Sequence, residues 1–234
     1  MLNVYDSSQF RALPVFSEAR KRIDAAKPKL NIIGDEICKH ALHDGVGVNM
    51  LHRHFQLEPD EVLVKRTVCK ENVSYIEPKM IASNQPLAPY LWRCIRNANK
   101  EWCLSPLEFV EDVGGAQRTR ARALTANWEA IQDIGNALHA NGLEDVIGLV
   151  LADSDLLIAN GEIQLEDSDG PGRRLRVSAS PASALNDSDV SEVSWFFTPE
   201  EKEDLTENFC ASHCGDHCRK HCVRHCTAHC KSHK

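Results

Sequence analysis

Cysteines stand at 210, 214, 218, 222, 226 and 230, and a histidine precedes each one from the second onward. The full ligand set is Cys210, His213, Cys214, His217, Cys218, His221, Cys222, His225, Cys226, His229, Cys230 and His233. Thiolate and imidazole are the donors that Zn(II) and Cu(I) take in preference to oxygen, so this repeat reads as a metal-binding tail. A period of four drifts by about 40° per step against the 3.6-residue helical turn, so the ligands cannot share one helical face. Neighbours such as His213, Cys214, His217 and Cys218 can still meet at i,i+3 and i,i+4 spacing. A fourth ligand then comes from another turn, a folded-back segment or a second subunit. At four ligands per ion the tail holds about three Zn(II); Cu(I), content with fewer thiolates, loads more densely. Cys, His, Ser and Thr are mediocre helix formers, so any helix in the tail draws its ordering energy from the metal.

A second set of donors lies in the body. From Gly47 the pattern has a period of two, with Val48, Met50, His52 and His54 on one side, so the two imidazoles converge if the segment is a strand. The twelve residues GVNMLHRHFQLE, from Gly47 to Glu58, resemble the first motif of the cupins. That resemblance implies a metal held by His52, His54 and Glu58 inside a β-barrel, and a metal-dependent enzyme. The tail, over residues 210–234 and by composition, resembles the dense ligand runs of metallothioneins and the metal-storing tails of metallochaperones. Cys38, His40 and His43 have the chemistry to join a body site. Gly114-Gly115 precedes a helix bearing Arg118, Arg120 and Arg122. It reads as a loop-to-helix junction with a solvated basic face, with an anion site at the helix N-terminus as the alternative.

These side chains need elements to position them. Residues 17–27 predict a helix ended by Pro28, and Asp35 to His43 a second one stopped by Asp44-Gly45. Residues 46–70 read as a β-hairpin turning at Glu58-Pro59-Asp60, followed by strands at Val73 to Ile76 and Tyr90 to Ile95. Apolar residues at three- and four-residue intervals predict one long helix from about Gln117 to Ala140, closed by Gly142. A meander follows: Leu156 to Ala159, a turn at Asn160-Gly161, Glu162 to Glu166, a turn at 169–172, and Arg173 to Ser178. A last strand is expected at Val193 to Phe197. The expected fold is α+β, mainly antiparallel hairpins packed with one long helix. The expected units are an N-terminal extension (1–16), a globular domain (17–197), a charged linker (198–209) and the separate tail (210–234).

The 234 residues, 42% hydrophobic, suffice for one sizeable core. No apolar run of signal-peptide or membrane-spanning type occurs, so a soluble protein of the cytoplasm or nucleus is expected, with no membrane partner. In such a reducing compartment the ten cysteines favour metal over disulfides. The four outside the tail, Cys38, Cys69, Cys94 and Cys103, are expected as small buried apolar groups. The tail carries five bases against one acid on a chain of net charge -7. Metal loading deprotonates thiols and so couples to any contact made by this basic segment. The leading expectation is a protein that sequesters, buffers or transfers Zn(II) or Cu(I), to a second subunit or a recipient protein. Two other readings remain open: a metal-dependent enzyme centred on His52, His54 and Glu58, and an interaction or nucleic-acid-binding protein with a metal-folded tail.

Overall fold

Asn127 divides the stretch expected to be one helix. It ends α4 (Ala116–Ala126) and opens α5 (Trp128–Ala140), its side-chain oxygen accepting from the Ala130 amide. An Asn side chain competes for backbone donors in this way, which makes it a better cap than interior residue. Gly142, at φ +67, follows α5 as expected. Near the N-terminus Pro28 does not end the helical run. It sits in a 3₁₀ turn (Lys27–Lys29) between α2 (Phe16–Ala26) and α3 (Leu30–Lys39), at a first-turn position where its missing N–H costs nothing. A short α1 (Ser7–Arg11) buries Phe10 in the same core.

The computed structural model describes residues 5–81, 86–152, 156–169, 171–184, 191–199 and 212–213. The tail ligands other than His213 lie outside the described residues, and of His213 only the backbone is described. Within the described residues the chain is α+β, built on one curled sheet. Its strands are β1 (Val46–Met50), β2 (Glu61–Val68), β3 (Val73–Met80), β4 (Leu87–Arg96), β5 (Trp102–Glu111), β6 (Ile147–Leu151), β7 (Glu162–Asp169), β8 (Arg174–Pro181) and β9 (Glu192–Trp195). They run in the order β9-β1-β6-β4-β5-β2-β3-β8-β7, and the two-residue β10 (Ser212–His213) lies between β7 and β9 and closes a barrel. Neighbours are antiparallel except β2 with β5 and β7 with β10. The expected hairpin over 46–70 does not form: β1 pairs with β6 and β9, and β2 with β3 and β5. Leu156 to Ala159 is not a strand either, because the Asn72 side chain bonds both the N–H and the C=O of Leu157 and holds it as loop.

Strand register sorts the side chains into an outer and an inner face, since directly paired residues share a face. The row Arg66, Tyr75, Arg176 and Asp167 crosses β2, β3, β8 and β7 and meets solvent. One residue further, Thr67, Ser74, Val177 and Glu166 form the inner row, with Ser74, Val177 and Glu166 buried. On β1, β4 and β5 the outer face is covered by helices. There α5 lies so close to β5 that a Cβ on Gly135 would stand 2.3 Å from the Trp102 ring. Gln132 of α5 bonds the Trp102 backbone at both N–H (3.0 Å) and C=O (2.8 Å). No helix among the described residues is long and apolar enough to cross a membrane.

Candidate metal centre

β1 ends at Met50, so His52 and His54 stand not on a strand but on the irregular segment that leaves it. Two sets of contacts fix that segment. The Arg53 backbone N–H donates to Pro14 (3.0 Å) and its Nε to the Leu13 carbonyl (2.8 Å), which ties it to the chain entering α2. Further along, the Arg173 guanidinium donates to the Gln56 carbonyl (2.8 Å) and to the Glu61 carboxylate, latching the loop to the turn between β7 and β8. Arg173 thereby holds the Glu61 carboxyl below its usual range. The N-terminal residues cover this end of the barrel, with Tyr5 Oη donating to the Glu61 carbonyl and Ser7 Oγ to Pro59.

Within this frame the His52 and His54 rings meet edge to face with centroids 4.5 Å apart, and Glu166 reaches them from the inner face of β7. One donor atom from each of the three lies within 4.8 Å of the others. His54 Nε2 and Glu166 Oε2 are 3.8 Å apart, and both side chains are at least nine-tenths buried. Bonds of about 2.0–2.2 Å to a first-row ion put ligand atoms roughly 3–4 Å apart, so this pair already has ligand spacing. His52 Nδ1 lies 2.9 Å from the Met50 carbonyl oxygen. A carbonyl can only accept, so in the neutral ring the proton is on Nδ1 and Nε2 carries the lone pair, the tautomer that a backbone carbonyl fixes in many metal-binding histidines. Phe16 packs on the His52 ring at 5.5 Å and restricts its rotation.

Glu58, the third ligand suggested by the sequence, is exposed ahead of β2, where its backbone N–H donates to the Glu61 carboxylate. The structure brings Glu166 to the two histidines instead. Its expected strand was legible, but a glutamate facing the barrel and one facing water look alike until the register of β7 is known.

Glu36, His40 and Asp133 form a second group with donor atoms within 4.8 Å, between α3 and α5. There Lys39 Nζ already lies 2.7 Å from Asp133 Oδ2 and 3.0 Å from Glu36 Oε2, and His40 Nε2 lies 3.0 Å from Asp133 Oδ2. The bond from Lys39, and after it the one from His40, lowers the Asp133 pKa. His43 lies beside Asp44 at 3.6 Å and Cys38 is partly buried, and neither belongs to a ligand group among the described residues. Of the scattered cysteines, Cys94 and Cys103 are buried and Cys69 is exposed. The N-terminus of α4 carries the protein's own carboxylate: Asp112 accepts from the amides of Gln117 (3.2 Å) and Arg118 (2.9 Å) where an anion would bind.

Fold and site together describe an α+β protein with a curled sheet and a buried two-histidine, one-carboxylate cluster. No family model, no curated protein and no solved structure matches the chain.

Proposed function

We propose that this is a metal-dependent protein whose barrel holds one divalent first-row transition ion on His52, His54 and Glu166. The observation that carries the reading is the meeting of these three buried donors with His52 Nδ1 bound to the Met50 carbonyl. Imidazole and carboxylate suit Zn(II), Fe(II), Co(II) and Mn(II), and three protein ligands leave coordination positions open for water or a reactant. Such a centre is of the catalytic rather than the structural kind. The His-Cys repeat of the tail is in this reading a softer store that gathers Zn(II) or Cu(I) and supplies or buffers metal.

Native mass spectrometry under reducing conditions tests both parts. The full chain titrated with Zn(II) is expected to bind several ions, and a chain ending at Asn208 to keep one. His52→Ala in the shortened chain removes that last ion. A folded shortened chain that takes up none of Zn(II), Co(II) or Mn(II) overturns the body centre, and a full chain that binds no more than the shortened one overturns the store.

A further inference from the structure

The barrel is built from one pattern used twice: α2, α3 and β1 to β5 in the first half answer to α4, α5 and β6 to β10 in the second. At a single constant displacement along the chain, Val46–Met50 falls on Ile147–Leu151, Glu61–Val68 on Glu162–Asp169 and Val73–Met80 on Arg174–Pro181. Ala41 and Asn72, both at positive φ, fall on Gly142 and Arg173, which share that conformation. The halves meet about a two-fold axis, because equivalent residues pair with each other where they touch. Val48 pairs with Leu149 and Tyr75 with Arg176, both in antiparallel ladders. Even a close approach is repeated: a Cβ on Gly47 would stand 2.5 Å from the Trp195 carbonyl oxygen, and one on Gly148 2.4 Å from that of Trp92.

The last strands continue the correspondence. Leu91 and Trp92 of β4 pair with Val150 and Leu149, and Ser194 and Trp195 of β9 with Asn49 and Val48, so Ser194 stands for Leu91 and Trp195 for Trp92. Trp92 shares its face with Trp102, which packs on α5, so Leu91, Asn49 and Ser194 lie on the inner face. Next, Pro89 pairs with Phe109 and Leu91 with Glu108, while Glu192 pairs with His213 and Ser194 with Ser212, and the register slips at the same point in both. β10 is thus the counterpart of β5, with His213 in the place of Phe109. The parallel ladders agree, since Val64 lies beside Phe109 and Leu165 beside His213. In the first half that ladder takes one more step on the inner face, with Lys65 beside Val110. The corresponding residues are Glu166 and Cys214. Four equivalent positions then differ in chemistry between the halves. His52, His54, Glu166 and Cys214 are all metal donors, whereas their counterparts are Asp153, Asp155, Lys65 and Val110, of which the ammonium and the isopropyl group offer a cation no lone pair.

We propose that Cys214 is a further ligand of the ion in the barrel and the point at which the tail hands metal to it; this rests on the metal centre of His52, His54 and Glu166. Neighbouring strands lie about 4.8 Å apart, so a thiol beside Glu166 on the same face reaches an ion held by that carboxylate. Cys214 takes one of the positions that the three ligands leave open, and its thiol releases a proton to solvent as it binds. His217 and Cys218 follow within one repeat, so an ion passes between store and centre by exchange of ligands at Cys214, with no change of oxidation state. A reactant must displace this thiolate to reach the position it caps.

The test uses full-length protein in which Cys218, Cys222, Cys226 and Cys230 are replaced by Ser, titrated with Co(II) in a phosphine reductant. A thiolate-to-Co(II) charge-transfer band in the near ultraviolet is expected at one equivalent, kept in Cys210→Ser and lost in both Cys214→Ser and His52→Ala. The visible d–d absorption of the ion survives Cys214→Ser with affinity lowered at least about ten-fold, which corresponds to about 1.4 kcal/mol. Circular dichroism of the metal-free variants checks that each keeps the fold. A charge-transfer band that survives Cys214→Ser or His52→Ala overturns the proposal, since the thiolate is then another one or the ion sits in the tail alone. Visible absorption that depends on His52 but carries no thiolate band also overturns it, and leaves the metal centre standing. Visible absorption that is absent, or unchanged by His52→Ala, overturns the metal centre itself.

Discussion

Among the described residues two clusters bring three metal-type donors within 4.8 Å, His52 with His54 and Glu166, and Glu36 with His40 and Asp133. They differ in what surrounds them. The first lies inside the barrel with its histidine tautomer set by a backbone carbonyl. The second is only partly buried, between α3 and α5, and a lysine ammonium has taken the position of a cation. A metal ion arriving there must displace Lys39 and compete with bulk water, while salt screens what it gains. Proximity of donors is therefore a poor criterion by itself, and the proposed metal centre rests on the burial of the first trio as well as on its spacing.

The sharpest way to break this comparison is to remove one carboxylate from each cluster. Glu166→Gln is expected to weaken metal binding by the body by more than about 100-fold, beyond the 10- to 100-fold typical of losing an outer-shell partner. Asp133→Asn should leave it unchanged, and calorimetric titration of both variants would reveal equal losses if the distinction is wrong.

A second contrast sets a buried titratable group against an exposed one. Burial pushes the Cys94 thiol up to about 12 from its ordinary value of 9.0. The folded state holds this proton more tightly than the unfolded state, so the contribution is complete below pH 9 and is lost as pH rises toward 12. Over that window the loss is at most about 4 kcal/mol, at roughly 1.4 kcal/mol per pH unit. Denaturant unfolding should show a shallower alkaline decline in Cys94→Ala than in the wild type, and parallel declines would refute the assignment.

The smallest effect belongs to the surface cluster. Because Lys39 and His40 lower the Asp133 pKa, its contribution to stability is present above the ordinary value of 3.8 and disappears as pH falls through the lowered one. Asp133 is only partly buried and water still screens this network, so Asp133→Asn should flatten the acid limb of a thermal-melting profile only slightly. A large change would mean that the surface network matters more to the fold than its exposure suggests.

Much of the local structure was legible from residue types. The α2 helix, strands β3, β4, β7 and β8, the turn after β7 and the end of α5 before Gly142 all follow from periodicity and from Gly, Pro and Asn placement. The failures have physical causes, one local and one not. Asn127 is a capping residue within a continuous apolar period, so the period alone joins two helices. β1 was expected to pair with β2 because they are consecutive, yet its five residues are buried and its partners are β6 and β9, about a hundred residues or more away along the chain. Strand pairing at such separation leaves no local mark.

The sequence by itself determined the donor chemistry: the His-Cys repeat from Cys210, the His52 and His54 pair, and the α+β class. Those properties reside in side-chain type and short-range spacing, which the chain carries whether folded or not. Only the tertiary structure decided that Glu166 rather than Glu58 meets the histidines, that Lys39 fills the other cluster, and that Asn49, Lys65 and Glu108 share the inner face with Glu166. Each of these depends on sheet register, where a shift of one residue exchanges the inner and outer faces of a strand.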